Sequence, residues 1–341
     1  MFVKKRFFSF LAITATGGAL FVAGYFLAAL PERHITLAPD RPSGALIAES
    51  IPDPGPKSAR LLFAGDIMLS RYVGKLIAHT GDPRFPFLKV AEELRSADIA
   101  FANLEGPISS RGKNQGSIYS FRADPVVVEG LAFAGFDVLA LANNHIWDWG
   151  ADALVDTLSL LENVGISAIG AGHDYEEAHA PKIVSAGDAK IAFLAYTNLV
   201  PRGYTSSASR PATAFLDVDI AATDIARARD EADIVVVSVH WGEEYETHHN
   251  EFQEVFARGF IDAGANLVVG HHPHVVQELE RYRNGYIAYS LGNFVFDQDI
   301  SKETMRGAAL EVMLRGKEIE SVRLLPIVLN NTFQPEFEDG S

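Results

Sequence analysis

The chain has 341 residues, 48% hydrophobic and 21% charged, enough apolar content for one large domain or two small ones. A net charge of −15, from 44 acids against 29 bases, argues against a nucleic-acid-binding surface, which needs clustered Lys and Arg. The absence of cysteine excludes disulfides, thiolate metal sites and a cysteine nucleophile.

At the start, Lys4, Lys5 and Arg6 precede 24 uncharged residues from Phe7 to Leu30. As a helix these span roughly 36 Å, enough to cross a bilayer. The basic flank should stay cytoplasmic, so the chain after Pro31 is expected outside, tethered to the cell membrane by a single pass. A signal peptide cleaved after Leu27-Ala28-Ala29 is the alternative and would give a secreted protein, but the apolar run is long for one. Residues 31–59 carry six prolines and read as a linker. Residues 60–330 read as the globular domain and 331–341 as a polar tail.

Within the domain the predicted elements alternate. A strand at 61–65 is followed by a helix near 85–95, a strand at 98–102, a helix near 125–134, a strand at 136–141 and a helix near 151–163. Strands near 166–169 and 190–196, a helix near 219–231, a strand at 233–239, a helix near 251–263, a strand at 266–269 and a β-rich segment to about 328 complete the chain. Such alternation predicts an α/β domain with helix-covered sheets, and Asn284-Gly285 predicts a hairpin turn.

In α/β folds ligands gather beyond the carboxyl ends of strands. The first strand ends in Gly65-Asp66, the second delivers Asn103 and Glu105, and the third Asn143, Asn144 and His145. Later strands deliver His240 and the group His271, His272 and His274. Each has a plain structural reading: Asp66 as a turn residue, Asn103 and Asn143 as loop hydrogen-bonders, His145 as a core histidine, Asp148 as a helix cap. Three imidazoles in four residues have little packing value, however. Pro273 biases His272 to an extended backbone, which by alternation puts His272 and His274 on one face and His271 on the other. Five strand ends bearing oxygen and imidazole donors predict a site for a divalent metal such as Mn, Zn, Fe or Mg.

The words "GDIML", "ANLEGPIS", "LANNHIWDWG", "HWGEEY", "GHHPHVVQ" and "YSLGNFVFD" resemble the CapA family of bacterial capsule-synthesis proteins, associated with poly-γ-glutamate. Their metal-type residues also resemble the calcineurin-like metallophosphoesterases, with motifs D-x-H, G-D-x-x-D, G-N-H-[DE], a lone His and G-H-x-H. The resemblance implies a four-layer α/β/β/α sandwich with a metal cleft at the strand ends. It implies Asp66, Glu105, Asn144, His240, His272 and His274 as ligands, with Glu105 bridging two positions and His145 as general acid beside the catalytic Asp66 and Asn144. One position keeps Glu105, Asn144, His240 and His272. The other keeps Asp66, Glu105 and His274, because Met68 stands where D-x-H has its histidine. One ion is therefore expected to bind firmly and a second weakly.

Arg71 and Arg122 are candidate anion clamps, each with a surface charge as the plainer reading. Trp241, Tyr245, Trp147 and Trp149 are candidates for an aromatic wall, with core packing as the equal alternative, and Asn293 for closing the site. The expected function is a membrane-tethered, metal-dependent hydrolase of phosphoesterase type, serving synthesis or remodelling of an anionic surface polymer or its precursor alongside other capsule-synthesis subunits. The alternative is a non-catalytic polymer-binding or export subunit.

Overall fold

The computed structural model describes residues 55–200 and 210–338. The expected anchor and most of the linker fall outside the described residues, among which no helix is long and apolar enough to cross a membrane. The chain runs through β1 (Ser58–Ile67), α1 (Arg71–Thr80), a 3-10 turn at Phe85–Phe87, α2 (Ala91–Arg95), β2 (Ile99–Leu104), α3 (Val127–Ala134), β3 (Val138–Ala140) and α4 (Gly150–Asn163). It continues with β4 (Ser167–Ile169), β5 (Ala171–Gly172), α5 (Tyr175–His179), β6 (Lys182–Ala186), β7 (Ala189–Thr197), β8 (Ala212–Thr213), α6 (Val218–Glu231), β9 (Ile234–His240) and α7 (Glu251–Ala263). The last third is β10 (Leu267–His271), β11 (Leu279–Tyr282), β12 (Gly285–Ala288), β13 (Asn293–Val295), β14 (Arg306–Arg315), β15 (Glu318–Leu329) and β16 (Pro335–Phe337).

Among the described residues two mixed sheets result, with β5 and β8 forming a separate antiparallel pair. The first has the order β16-β15-β14-β1-β2-β3-β4, with β13 also paired to β1; the second is β11-β12-β10-β9-β7-β6. Both faces of β1 are buried, so it reads as a continuous apolar run rather than an alternation. Leu62 and Ala64 face the core beneath α1 to α4, whereas Leu61 and Phe63 face a second core shared with the other sheet. A third core packs α5, α6 and α7 against the outer face of β7, β9 and β10. The layers are therefore helix, sheet, sheet, helix, as expected.

Helix starts follow local chemistry. Asn250 and Gln253 form a capping box at α7, and Asp217 caps α6. Three expectations need correction. Helix α1 has no counterpart in the predicted elements, although it is amphipathic and buries Val73 and Ile77 one turn apart. The hairpin exists, but its turn is Arg283-Asn284: Tyr282 pairs with Gly285, and Arg283 takes the positive φ of 49°. The segment expected as a tail continues the sheet, since β16 pairs with β15 and Phe333 is buried beside it.

Between the sheets, Phe101 stacks on Phe193 at 5.9 Å and meets Phe63 at 5.4 Å, all three without solvent exposure. Phe101→Ala should therefore destabilise the domain by about 3–5 kcal/mol, read from denaturant unfolding midpoints. A cost of less than about 1 kcal/mol would contradict this packing.

Candidate metal centre

Parallel pairing sets the site. Asp66 is in register with Asn103 across β1 and β2, and with Asn293 across β1 and β13; His271 is in register with His240 across β10 and β9. The carboxyl ends of strands from both sheets thus meet along one seam. Asp66 is fully buried there. Its carboxylate accepts hydrogen bonds from Asn103 Nδ2 at 2.8 Å and the His272 backbone N–H at 3.2 Å. It also lies 3.3 Å from His271 Nδ1 and 3.2 Å from His274 Nδ1. Burial opposes ionisation, but these two histidines hold the Asp66 carboxyl well below the usual carboxylate range.

Glu105 is also buried, with its Oε1 3.6 Å from His274 Nε2 and 3.9 Å from His145 Nε2. Desolvation pushes its carboxyl well above the usual range, with His274 opposing and Asp66 adding to the rise. His240 Nε2 meets Asn144 Oδ1 at 2.9 Å, and its ring lies 4.8 Å from that of His272. Burial and the neighbouring histidines lower the pKa of His240 strongly and that of His272 to about 3. Both are therefore neutral imidazoles, the form that binds metals. His274 is the opposite case. Burial lowers its pKa, but Glu105 and Asp66 outweigh that and lift it to about 9.

His145 sits at the edge of this cluster. Its Nδ1 lies 2.7 Å from Asp148 Oδ2, and its ring stacks on Phe121 at 3.9 Å. Asp148 also accepts from the Phe121 N–H at 2.7 Å, so one carboxylate fixes both the imidazole and the ring beneath it. It is not the cap of α4, whose N-cap is Trp149 with no side-chain bond. Asn143 bridges inward by donating to Asn103 Oδ1 and the Leu104 carbonyl, while its own Oδ1 accepts from the His145 N–H.

The residues fit a divalent cation. Glu105 Oε1, His272 Nδ1 and His271 Nε2 are buried without a hydrogen-bond partner, an arrangement that a cation would relieve. Two groups can each converge on one ion: Asp66, Glu105 and His240; and Glu244, His272 and His274, with the donor atoms of each group within 4.8 Å of one another. Met68 contributes no hard donor. It is buried against Phe121 and Phe296, and its sulfur accepts from the N–H and hydroxyl of Ser70.

The six expected ligands and His145 are thus brought together, but not in the expected sets: His240 groups with Asp66 and Glu105, and His272 with His274 and Glu244. Arg71 and Tyr245 line a cleft of about 280 Å³ over His145 and His274, with Arg71 paired to Asp297 at 3.2 Å. A slightly larger apolar pocket of about 310 Å³ at Val275, Ala308 and Leu324 holds none of these donors. Other expectations are corrected. Trp241 is fully buried and donates to the Tyr289 carbonyl, and Trp147 is buried against Thr213, so neither forms a substrate wall. Arg122 lies over the Trp149 ring at 3.5 Å and donates to the Arg111 carbonyl, so both side chains are engaged with each other away from the cleft. Asn293 is fully buried, its Oδ1 3.0 Å from His274 Nδ1, and it orients that ring instead of meeting substrate. His271 shares the site because β10 ends with it, and His272 is not extended but has φ 98°. Sequence reasoning missed the role of Asp148 and missed Glu244. The N-H-x-x-D spacing at Asn144-His145-Ile146-Trp147-Asp148 was the available signal for the first.

The family model described as bacterial capsule synthesis protein PGA_cap matches residues 60–298. The chain belongs to this family. It is 32% identical over 275 residues to the capsule biosynthesis protein CapA of Bacillus anthracis, covering 78% of this chain and 66% of that one. It is 36% identical over 241 residues to the PGA biosynthesis protein CapA of Bacillus subtilis, covering 69% and 63%. The chain thus spans just under two thirds of the length of these relatives. Among solved structures it is similar to a 5'-nucleotidase precursor from Thermus thermophilus, at 14% identity and TM-score 0.47, covering 82% of this chain and 56% of that one. In this PGA_cap-family chain the matched segment contains all six expected ligands together with His145 and Asp148.

The raised pKa of His274 has a consequence for the metal-free protein. Its contribution to stability is fully present below the ordinary value of 6.5 and is lost as pH rises through about 9. Unfolding in urea with a chelator present should show this loss for the wild type, whereas His274→Gln should lack it. Equal pH slopes for the two proteins would refute the pairing.

Proposed function

We propose that this chain is a membrane-tethered, extracytoplasmic hydrolase of phosphoesterase type. It would cleave a phosphoester in an anionic cell-surface polymer or its precursor, during capsule synthesis or remodelling of the poly-γ-glutamate type with other capsule-synthesis subunits. The observation that carries this reading is the His145–Asp148 pair set 3.9 Å from a buried Glu105 carboxylate that has an unpartnered oxygen. Asp66, Glu105, Asn144, His240, His272 and His274 would hold one or two divalent ions. When bound, such an ion supplies Lewis acidity to the cleft.

The chain's own residues supply the rest. Asp148 accepts from His145 Nδ1 and orients the ring, leaving Nε2 to pass a proton to a leaving oxygen. Phe121 backs the ring and keeps it in place. Arg71, on the cleft rim, offers positive charge to an anionic group. Desolvation, and then Glu244, raise the Tyr245 hydroxyl to about 12, so it remains a hydrogen-bond donor across the working range. With a net charge of −15, the protein does not attract a polyanion as a whole, so attraction must come from Arg71 and a bound cation.

Met68 favours a second reading, in which the protein binds or exports polymer without cleaving it, since its thioether stands where the resembling enzymes have an imidazole. Turnover of a generic phosphodiester with added Mn or Zn separates the two. His145→Ala should lower turnover roughly 10²- to 10⁴-fold while leaving metal content unchanged. A wild type that binds metal but turns over neither phosphodiester nor surface polymer would favour the second reading.

The placement rests on Lys4, Lys5 and Arg6 before the apolar run. A reporter fused after Ser341 should be active outside the cytoplasm, with the protein in the membrane fraction. Reporter activity inside the cell would overturn the topology, and a soluble, N-terminally trimmed product would favour signal cleavage.

A further inference from the structure

The imidazole that D-x-H would offer at position 68 is missing, because Met68 turns its sulfur to Ser70. We propose that Glu244, on the loop after β9, supplies the missing ligand and completes a weaker, solvent-accessible ion position with His272 and His274. The inference rests on the metal reading given above and adds a residue to it.

Three observations carry it. A Glu244 carboxylate oxygen, a His272 ring nitrogen and a His274 ring nitrogen lie within 4.8 Å of one another. Close by are two buried donors with no partner, His272 Nδ1 and Glu105 Oε1, the latter 3.6 Å from His274 Nε2. The loop bearing Glu244 is also fixed to the segment bearing the histidines. Tyr245 N–H donates to the Pro273 carbonyl at 2.8 Å, and Gln277 Nε2 donates to the carbonyls of Glu246 at 2.8 Å and His248 at 3.1 Å. Tyr245, His272 and His274 all adopt positive φ, at 70°, 98° and 57°. Non-glycine residues adopt that geometry at a cost, and it persists only where the surroundings hold it. A loop glutamate that served only solubility would need none of this anchoring.

The exchange of donor also has chemical content. Replacing an imidazole by a carboxylate makes this position richer in oxygen and more negative, which suits a hard cation such as Mn. Glu244 is exposed whereas Asp66 and Glu105 are buried, so the ion it helps to hold is the one that exchanges with solvent. Its neighbour Glu243 is equally exposed, but belongs to no such cluster among the described residues, and so serves as the control.

Calorimetric titration of the intact protein with Mn, followed by spin resonance of the bound ion, tests the assignment on four proteins: wild type, Glu244→Gln, Glu244→Ala and Glu243→Gln. Both Glu244 variants should weaken the lower-affinity Mn by at least roughly 10-fold and leave the tighter one in place, while Glu243→Gln should match wild type. Because Glu244 is exposed, circular dichroism and the metal-free melting temperature should not change. If Mn binds the wild type and both Glu244 variants equally, the assignment of Glu244 is overturned while the metal reading stands. If the wild type binds no Mn, both fall together.

Discussion

A carboxylate with no access to water organises this molecule. Asp66 lies next to the end of β1 at zero exposure, and an ionised group in that position is tolerable only if every approach is occupied by a donor or a positive charge. The fold meets the condition from both sheets. Asn103 comes from β2, His271 ends β10, and the His272 N–H and His274 ring come from the turn that follows. Asn293, paired with Asp66 across β13, in turn holds His274. The close approach of β13 explains the glycines nearby. A Cβ on Gly65 would sit 2.0 Å from the Gly292 carbonyl oxygen, and one on Gly307 2.0 Å from that of Asn293. No side chain fits at either place without moving the backbone that carries the site.

The architecture was legible because its strands are apolar on both faces and its longer helices are periodic. α4, α6 and α7 fall within a residue or so of where the pattern puts them. The clustering of these side chains was legible because buried strands do not normally end in Asp, Glu and His. What escaped the sequence was direction. Alternation governs only residues inside a strand, and β10 stops at His271, so the faces of His272 and His274 depend on a turn with positive φ that their identities disfavour. Trp241 and Asn293 were misplaced for a related reason. Lying next to ligands in sequence, they look functional, but Trp241 points into the core beneath α7 and Asn293 sits behind a histidine. Asp148 looked like a cap because it precedes α4, and only the fold shows its oxygen turned toward His145.

The loop from Trp241 to Asn250 brings a further layer of control. His248 and His249 both grip Glu278, at 2.6 and 2.9 Å, and Gln277 bonds to the same loop and to Gln253 of α7. Contacts to the histidines over Glu278 hold its carboxyl near 2 although burial pushes the other way. The cleft rim is therefore tied to a helix and a hairpin well behind it, so Glu244 and Tyr245 have a fixed address without belonging to a regular element.

The seam between the sheets gives the centre a second meaning. Its donors come from β1 and β2 on one side and from β9 and β10 on the other, so an ion held there would act as a rivet between two layers that otherwise meet through greasy contacts such as Phe101 on Phe193. Occupancy would then add to folding free energy in proportion to the logarithm of the free ion concentration. For a domain placed beyond the cytoplasm, as proposed, no cellular pool buffers that concentration. Resistance to proteolysis and molecular lifetime would then track the supply of ions in the surroundings. The same donors would then set how long each copy survives.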